Sequence, residues 1–451
     1  MKITFLGAAG TVTGSKYLLE TDKTRILIDC GLYQGVKSLR VRNRRPLAVD
    51  PASVDAVLLT HAHIDHSGLL PRLVREGFRG PIYTSRPTTQ LCEILLPDAA
   101  HIQEEDALYA NRKGFSKHQP ALPLYTSEDA EKSLEQFHSL PFGEDKQVGD
   151  LTFRLHPAGH ILGAASIEVS HRDRSIHFSG DLGRSDDLLL YPPAPPGSPD
   201  YLVVESTYGD RNHSSRDPIK ALASILRETV SRGGVLLIPS FAVGRAQTLL
   251  YCFHEIFRQK LANRVPVYLN SPMATSVTDL FRESCDYHRL APAQCDEVFG
   301  MARFVRSVEE SRALASRFEP MVIISASGMA SGGRVLHHLK ALAPDRRNTI
   351  LLPGFQAPGT RGDSIARGVE TIKIHGDRIP VKAEVQQLDI LSAHADQQAV
   401  LQWIGECRTP PRHVFVTHGE SVPADTIRQL TTERFGIPAH VPDLGESFEL
   451  V

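Results

Sequence analysis

The sequence predicts an α/β protein made of two domains. Its 451 residues exceed the length that one hydrophobic core usually organises. Strand-like segments dominate the first part of the chain, and from about residue 208 they alternate with helical segments. A strand-rich pattern returns at about residue 370. Regular β–α alternation is typical of a parallel sheet with crossover helices, so we expect such a sheet in the middle of the chain.

In the first part of the chain, short apolar runs bounded by turn residues predict β-strands. These runs are KITFLG, KYLLET, TRILIDCG, DAVLLT, LTFRLHPAGH, SIEVSH, SIHFSGD and YLVVEST. Helical periodicity occurs near residues 68–76 and 88–111. The proline-rich segment YPPAPPGSPD, residues 191–200, predicts an irregular connector before the last of these strands.

In the middle part, predicted strands are followed by predicted helices. The pairs are GVLLIPS with 243–259, VPVYLNS with 273–283 and MVIISAS with 331–342, and the strand NTILLPG follows them. From residue 370 the segment TIKIHGDRIPVKAEV predicts a hairpin with Gly376 and Asp377 at its turn. A helix over 397–405, a strand in RHVFVTHGE and a final βα-type stretch complete the prediction.

The overall composition restricts the class of protein. The net charge of −2 gives no general basic surface for nucleic acid, so an anionic substrate must be held by a local patch or by metal. The six cysteines include no C-x-x-C pair, which favours reduced thiols over disulfides or a cysteine–zinc site. The first apolar run is too short for a signal peptide, and no run of about 18 apolar residues occurs. We therefore expect a cytoplasmic protein.

The segment LLTHAHIDHSGLLP, residues 58–71, carries four potential metal ligands within six positions. His61 and His63 alternate at a predicted strand end and therefore point to the same side. Asp65 and His66 follow in the turn before a helix. Neutral imidazole and carboxylate are ligands that suit zinc, and a catalytic zinc needs only three of them from the protein. Four ligands in one loop indicate two metal ions if the chain supplies more.

Three further residues supply the additional ligands. His160 in HPAGHILGAAS, Asp181 in HFSGDLGR and His418 in FVTHGE all lie in loops beside predicted strands. Loops on one face of an α/β protein are where such folds build their sites. A lone histidine more often has a structural role, so the prediction depends on these residues occurring together with the clustered ligands.

The motif H-x-H-x-D-H, followed by a histidine, an aspartate and a late histidine, resembles the metallo-β-lactamase-fold hydrolases. The resemblance implies an αββα sandwich with two Zn²⁺ per chain. The implied ligands are His61, His63 and His160 for one zinc and Asp65, His66 and His418 for the other. Asp181 would bridge both ions together with a hydroxide.

Asp181 and His418 are far apart in this sequence, whereas compact hydrolases of this fold keep the two corresponding ligands much closer. The long separation therefore points to a particular group within the fold family. The chain is similar to the β-CASP group of nucleases, which includes the polyadenylation-factor endonuclease and ribonuclease J, and especially to its short prokaryotic RNA-cleaving members. This implies a metallo-β-lactamase domain over 1–207 and 370–451 and an inserted β-CASP domain over 208–369. A histidine at position 418 goes with RNA-processing members of the group, which favours RNA.

Two further motifs match the group: Glu205 in VVESTYGDR and His394 in LSAHADQQ. Two adjacent metal ions generate a hydroxide nucleophile at neutral pH. We expect His394 to protonate the departing 3′-oxygen, with Glu205 stabilising its charged form against the following helix dipole. Asp65 completes the predicted catalytic group. Helix capping for His394, and capping or a salt bridge for Glu205, remain alternatives.

The inserted domain supplies candidate substrate contacts. Small and polar residues that follow its predicted strands can hold phosphate through hydroxyl, amide or free backbone N–H groups. These candidates are Ser240, Arg245, Asn270, Ser271, Gly328, Ser331, Gly332, Gly333 and Arg334. The candidates from Gly328 to Arg334 lie in the segment SASGMASGGRVL, for which a tight turn without phosphate binding is the alternative. The basic run RVRNRR, residues 40–45, fits phosphate contacts or solvated surface.

The leading hypothesis is a zinc-dependent ribonuclease that cleaves single-stranded RNA in a cleft between two lobes. The resemblance implies products with a 5′-phosphate and a 3′-hydroxyl. The balance between internal cutting and 5′-to-3′ trimming stays open, and so does the formation of a homodimer. One alternative is a small-molecule metallohydrolase acting on a thioester or lactone, which would not need Glu205 or His394. The other is a non-catalytic RNA-binding scaffold, which the complete set of ligands argues against.

Overall fold

The computed structural model describes residues 1–114, 116, 118–317, 319–354, 356–357 and 359–451. Their contacts divide the chain into two compact units. Unit 1 consists of Met1–Asn212 together with His394–Val451, and unit 2 consists of His213–Ala393. Unit 2 is therefore an insertion in the chain of unit 1.

The first segment of unit 1 contains eleven strands and five α-helices among the described residues. In chain order they are β1 Lys2–Phe5, β2 Tyr17–Glu20, β3 Arg25–Ile28, α1 Lys37–Arg40, β4 Ala56–Leu58, α2 Ile64–Ser67, α3 Leu70–Arg75, β5 Ile82–Ser85, α4 Arg86–Lys113, α5 Ser127–Leu134, β6 Phe137–Leu140, β7 Asp145–Val148, β8 Leu151–Pro157, β9 Ala165–His171, β10 Arg174–Phe178 and β11 Tyr201–Glu205. The helices predicted near 68–76 and 88–111 correspond to α3 and α4.

Unit 2 alternates strands and helices, as the sequence predicts. Its elements are α6 Pro218–Ser231, β12 Val235–Pro239, α7 Arg245–Arg258, β13 Val267–Asn270, α8 Pro272–Glu283, α9 Pro292–Gly300, β14 Arg303–Phe304, α10 Val308–Ala315, β15 Met321–Ser325, α11 Val335–Leu342, β16 Thr349–Leu352, α12 Arg361–Ala366, β17 Thr371–Ile374, β18 Asp377–Pro380 and β19 Glu384–Gln387. Among the described residues, β14-β13-β15-β12-β16-β19 form one sheet in which all neighbours are parallel.

The last segment of the chain returns to unit 1 with α13 Gln397–Gly405, β20 His413–Thr417, α14 Ser421–Phe435, β21 Ala439–His440 and β22 Ser447–Glu449. In the described part of unit 1, one sheet has the order β22-β1-β2-β3-β4-β5-β6 and the other has the order β21-β20-β11-β10-β9-β8-β7. Strands from the end of the chain thus join both sheets. Strand β20 lies parallel to β11, with Glu205 in register with Thr417.

The two sheets of unit 1 pack face to face around a shared core. Phe5 and Phe153, from opposite sheets, belong to this core and are almost fully buried. In β11, Val203 faces the core, whereas Val204 packs with α13 and α14 on the other side. Because β11 is buried on both faces, its sequence is apolar almost without interruption. The arrangement is the αββα sandwich that the sequence predicts.

The bounds of unit 2 and the position of one turn differ from the sequence prediction. Unit 2 runs from His213 to Ala393, whereas the inserted domain was predicted over 208–369; at its end, β19 pairs in parallel with β16 and extends the sheet of unit 2. The hairpin turn lies at His375 and Gly376, since Ile374 pairs with Asp377 and both turn residues have positive φ. Within the described residues, we find no helix with the length and apolarity that crossing a bilayer requires.

Candidate metal centre

The loop after β4 carries the clustered ligands. Two hydrogen bonds fix the start of this loop. The backbone N–H of Leu59 donates to Tyr83 O, and that of Thr60 donates to the side-chain Oδ1 of Asp29. Helix α2 begins directly after His63, and it contains Asp65 and His66. His61 and His66 are buried, whereas Asp65 keeps 18% of its side chain exposed. The local sequence therefore presents all four side chains at one strand end.

A separate loop between β8 and β9 carries His160. The carbonyl of Gly163 accepts hydrogen bonds from the hydroxyls of Ser85 and Thr88, at the N-terminus of α4. Ala165 N donates to Thr60 O, which ties the same loop to the start of the His61 loop. These contacts bring the 160 region beside the clustered ligands.

The other two predicted ligands follow the neighbouring strands β10 and β20. Asp181 lies three residues beyond β10, after the buried Ser179, whose N–H donates to Val203 O. His418 follows β20 directly and has a φ of 49°, in the left-handed region. Its N–H donates to Ala8 O, and this bond holds the strained residue in place.

His61, His63, His160 and Asp181 form the first ligand group. Nδ1 of His63 lies 3.0 Å from Nε2 of His61 and 3.1 Å from Nε2 of His160. Oδ2 of Asp181 lies 3.5 Å from each of the same Nε2 atoms. Four donor atoms from three separate chain segments thus point at one place.

Asp65, His66 and His418 form the second ligand group. Nε2 of His66 lies 3.1 Å from Nε2 of His418, and Oδ2 of Asp65 lies 3.5 Å from the latter atom. Oδ1 of Asp181 lies 3.3 Å from Nε2 of His66 and 3.4 Å from Nδ1 of His418. The two oxygens of Asp181 therefore face different ligand groups, so the carboxylate joins them.

These donor atoms fit zinc. A tetrahedral zinc with bonds of about 2.0–2.1 Å places its ligand atoms about 3.3–3.4 Å apart, close to the observed separations. Three imidazole nitrogens that face one another repel unless a cation or protons lie between them. Oδ1 of Asp181 is also buried without a hydrogen-bond partner among the described residues, which is costly for a carboxylate that binds nothing.

The pKa shifts of His61, His63 and Asp181 favour the forms of these side chains that can bind a metal ion. Burial holds the pKa of His61 well below its ordinary value and lowers that of His63 to about 4, so both rings are neutral. Burial raises the pKa of Asp181, but the nearby imidazoles of His418 and His66 outweigh it and hold this pKa well below its ordinary value. The first ligand group therefore combines the neutral imidazoles of His61 and His63 with an ionised Asp181 carboxylate, as metal binding requires.

The sequence interpretation missed Asp29, whose carboxylate contacts the predicted ligand His66. Its Oδ2 lies 2.7 Å from Nδ1 of His66 and accepts from the Ser15 hydroxyl at 3.0 Å, while Oδ1 accepts from Thr60 N at 2.8 Å. A carboxylate on Nδ1 leaves Nε2 of His66 directed at the second ligand group. Burial lowers the pKa of His66, but Asp181 and Asp29 outweigh it and raise this pKa well above its ordinary value. The only signal in the sequence was an aspartate directly after the strand in TRILIDCG.

Glu205 and His394 meet beside the ligand groups. Oε1 of the buried Glu205 lies 3.3 Å from Nδ1 of His394 and accepts from Leu182 N at 2.6 Å. The His394 ring retains 22% exposure, and its centroid lies 4.4 Å from that of His160. Burial lowers the pKa of His394, but the Glu205 and Asp181 carboxylates outweigh it and raise this pKa to about 9. Asp396 caps α13 by accepting a hydrogen bond from Ala399 N.

The predicted substrate contacts in unit 2 separate into two sets. Asn270 donates to Ser311 and to Nε2 of His338, and it accepts from Arg334, which also donates to backbone carbonyls. This network holds Asn270 and the partly buried Arg334 in place within unit 2, and their contact with substrate stays a prediction.

The other candidates in unit 2 have varied surroundings. The hydroxyl of Ser271 caps α8, that of Ser240 donates to Phe241 O, and Arg245 donates to Pro353 O. The predicted substrate contacts of these three residues stay predictions. Ser331, Gly332 and Gly333 follow β15 in a loop with exposed positions, and a Cβ on the preceding Gly328 would come within 2.9 Å of Phe241 N. This loop, with Gly328, retains the phosphate-binding prediction.

Cys285, His288 and Cys295 form another cluster in unit 2. Nε2 of His288 donates to Phe281 O at 2.8 Å, and Nδ1 accepts from Leu290 N at 3.2 Å. Both ring nitrogens are therefore engaged in hydrogen bonds, so this cluster does not fit a metal ion.

Comparison with known families covers most of the chain. The model of the metallo-beta-lactamase superfamily matches residues 9–227, and that of the Beta-Casp domain matches 246–365. A model described as the Zn-dependent metallo-hydrolase RNA specificity domain matches 378–442.

Two relatives align over nearly the whole chain. Ribonuclease TTHA0252 of Thermus thermophilus is 39% identical over 93% of this chain and 93% of its own length. Transcription termination factor FttA of Methanocaldococcus jannaschii is 31% identical over 98% of this chain and 71% of its own. A solved protein of unknown function from Enterococcus faecalis V583 has a TM-score of 0.56 at 15% identity, over 99% of both chains, and this likeness concerns the fold alone.

Proposed function

Because the chain belongs to the β-CASP nucleases of the metallo-β-lactamase superfamily, we propose that it is a two-zinc ribonuclease that hydrolyses phosphodiester bonds of single-stranded RNA. The observation that carries this proposal is the bridging position of Asp181 between two ligand groups, with the His394–Glu205 pair beside them. The similar protein of Thermus thermophilus is named a ribonuclease, which supports RNA as the substrate.

Two groups of residues would each hold one zinc ion. His61, His63 and His160 would hold one zinc, and Asp65, His66 and His418 would hold the other, with Asp181 shared. Zinc ions bound there supply an activated water and positive charge for phosphoryl oxygens. Asp29 orients His66 by accepting from its Nδ1.

His394 is the residue that moves a proton. Its Nδ1–H donates to Oε1 of Glu205, whose other oxygen, Oε2, accepts from Thr207 N at 3.3 Å. The carboxylate fixes the orientation of the ring and stabilises its protonated form. A partly exposed, protonated imidazole beside the ligand groups is suited to protonate the departing 3′-oxygen, which leaves a 3′-hydroxyl and a 5′-phosphate.

Cleavage of end-labelled RNA tests the proposal. We expect wild-type protein to cut single-stranded RNA and His394→Ala to retain its zinc while cleavage falls about 10²–10⁴-fold. His440→Ala removes a histidine with 40% of its side chain exposed and serves as the matched control, with unchanged activity. Zinc content is measured by mass spectrometry on the same samples.

Two results would contradict the proposal. RNA left intact by zinc-loaded wild-type protein that hydrolyses a thioester would favour a small-molecule hydrolase. Full RNA cleavage by His394→Ala would remove His394 from the mechanism. A parallel reaction with single-stranded DNA measures the preference for RNA, and a 5′-labelled substrate separates internal cutting from 5′-to-3′ trimming.

A further inference from the structure

Two neighbouring strands of unit 2 end side by side and lead into connections that run in opposite directions. Pro239 at the end of β12 is in register with Ser325 at the end of β15. The chain leaves β12 through α7 and returns in β13, beyond β15, whereas it leaves β15 through α11 and returns in β16, beyond β12. Because crossovers between parallel strands are right-handed, these two helices lie on opposite faces of the sheet. Open α/β sheets bind their ligands at such a point, outside the carboxyl ends of the strands.

Phe241 lies in the loop after β12 and is 46% exposed. Its neighbours Ser240 and Ala242 are both buried. Ser240 N donates to Ser325 O, and Nε2 of Gln247 donates to Ala242 O. The backbone is therefore held on both sides of Phe241, and only the ring of this residue reaches the surface.

The loop after β15 gives this ring its place. Gly328 has no side chain, and a Cβ there would lie 3.0 Å from Cδ2 and 3.2 Å from Cε2 of Phe241. One edge of the ring therefore packs on the backbone of Gly328, while nearly half of the residue stays exposed. Gly328 belongs to the loop for which we predict phosphate binding, so an aromatic surface lies beside a candidate site for phosphate.

A positive charge lies at the same loop. The Arg361 guanidinium donates to Ala330 O and, at 2.9 Å, to Lys373 O. Both acceptors are neutral backbone carbonyls, so these contacts leave the charge of Arg361 uncompensated. An exposed aromatic ring next to positive charge is the combination with which proteins bind single-stranded nucleic acid.

We propose that Phe241 is a substrate-binding residue whose ring stacks on one base of a single-stranded RNA, next to the phosphate held by the loop after β15. The inference rests on the proposed function, because it takes RNA as the substrate. Every base has an aromatic face, so this contact tolerates any sequence. The alternative is a ring without a ligand, since single exposed apolar residues are common on protein surfaces.

The affinity for a labelled single-stranded RNA tests the contact. All proteins in the titration carry zinc and His394→Ala, so that the RNA stays intact. Phe241→Ala should raise the Kd about 5- to 150-fold, the range for the loss of one base–aromatic contact. Phe241→Tyr should retain the affinity, and Phe241→Leu should not, because leucine has no aromatic face. Phe435→Ala removes another exposed phenylalanine, at the end of α14, and should leave the Kd unchanged.

A series of RNAs that each lack the base at one position locates the stacked nucleotide. At that position the missing base should weaken binding to the protein with Phe241, and it should weaken binding to the Phe241→Ala protein no further. Cleavage by chains that keep His394 gives a second readout. Phe241→Ala should raise KM and leave kcat nearly unchanged, because a stacking contact made throughout the reaction contributes equally to ground state and transition state.

The outcomes separate this inference from the proposed function. RNA that is cut by the wild type and bound with unchanged Kd after Phe241→Ala would overturn the inference alone. Equal losses for both proteins at every missing base would do the same. RNA that the wild type neither binds nor cuts would overturn both. Since Phe241 is exposed, Phe241→Ala should keep the wild-type melting temperature. A lower melting temperature that Phe241→Leu restores together with the Kd would assign a packing role and overturn the inference.

Discussion

Replacing Asp29 by asparagine isolates the role of the carboxylate behind His66. Asn tolerates the left-handed backbone at this position, where φ is 61°, so the substitution adds no strain. The amide group can still accept the N–H of Thr60, which Asp29 binds at 2.8 Å. It loses the charge that holds the proton on Nδ1 of His66, 2.7 Å away. An asparagine NH₂ facing this atom favours the tautomer with its proton on Nε2, the nitrogen of the ligand group.

The expected loss follows from this single contact. Removing a carboxylate that orients a metal-binding histidine typically weakens metal affinity about 10–100-fold, or about 1.4–2.7 kcal/mol. We expect Asp29→Asn to lose about that much zinc affinity at the proposed site that contains His66. Competition with a chromophoric chelator measures both dissociation constants, and circular dichroism of the metal-free protein verifies the fold.

Ser15→Ala is the matched control for this experiment. It removes one hydroxyl hydrogen bond of 3.0 Å to the same carboxylate oxygen but leaves the negative charge in place. Its effect on zinc affinity should be smaller than that of Asp29→Asn, since the charge that holds the proton on Nδ1 of His66 remains. Equal zinc affinities for Asp29→Asn and the wild type would refute the reasoning, as would equal losses for both variants.

Three further outcomes follow from the packing and the pKa shifts. A Cβ on Gly31 would lie 1.6 Å from Asp65 O, so Gly31→Ala should lower zinc content and melting temperature, whereas Gly300→Ala, with open space around it, should change neither. Phe5 is fully buried, and Phe5→Ala should reduce the free energy of unfolding by about 3–5 kcal/mol in urea titrations. Burial lowers the pKa of His338 to about 4, below its unfolded value of about 6.5. The stability from its neutral form is therefore complete above pH 6.5 and is lost as the pH falls toward 4, by about 3 kcal/mol. His338→Gln should flatten that part of the stability profile, and an unchanged profile would contradict this assignment.

The sequence predicts the strands, most helices and the clustered ligands because these depend on local patterns. The alternation of His61 and His63 at a strand end is visible without knowing the fold. Asp29 became recognisable only once β3 and β4 were known to be parallel neighbours, with Ile28 in register with Leu58. In a sequence, an aspartate at a strand end that caps a turn has the same appearance as one that orients a metal ligand.

Asn270 and Arg334 in unit 2 make a contact that the sequence did not reveal. Nη1 of Arg334 donates to Oδ1 of Asn270 at 2.9 Å. Their distance in sequence hid this contact, and the same holds for the pairing of β19 with β16 that moves the unit boundary. Non-local pairing is the information that local patterns lack.

His418 comes last in the chain among the seven predicted ligands, and this order sets the time at which the ligand groups become complete during synthesis. A ribosome makes six of the seven predicted ligands, and then all of unit 2, before it reaches His418. Strand β20, which carries this residue to its place beside β11, is made directly before it. For a ribonuclease, this order means that a nascent chain lacks a finished centre while its own messenger RNA is still being read.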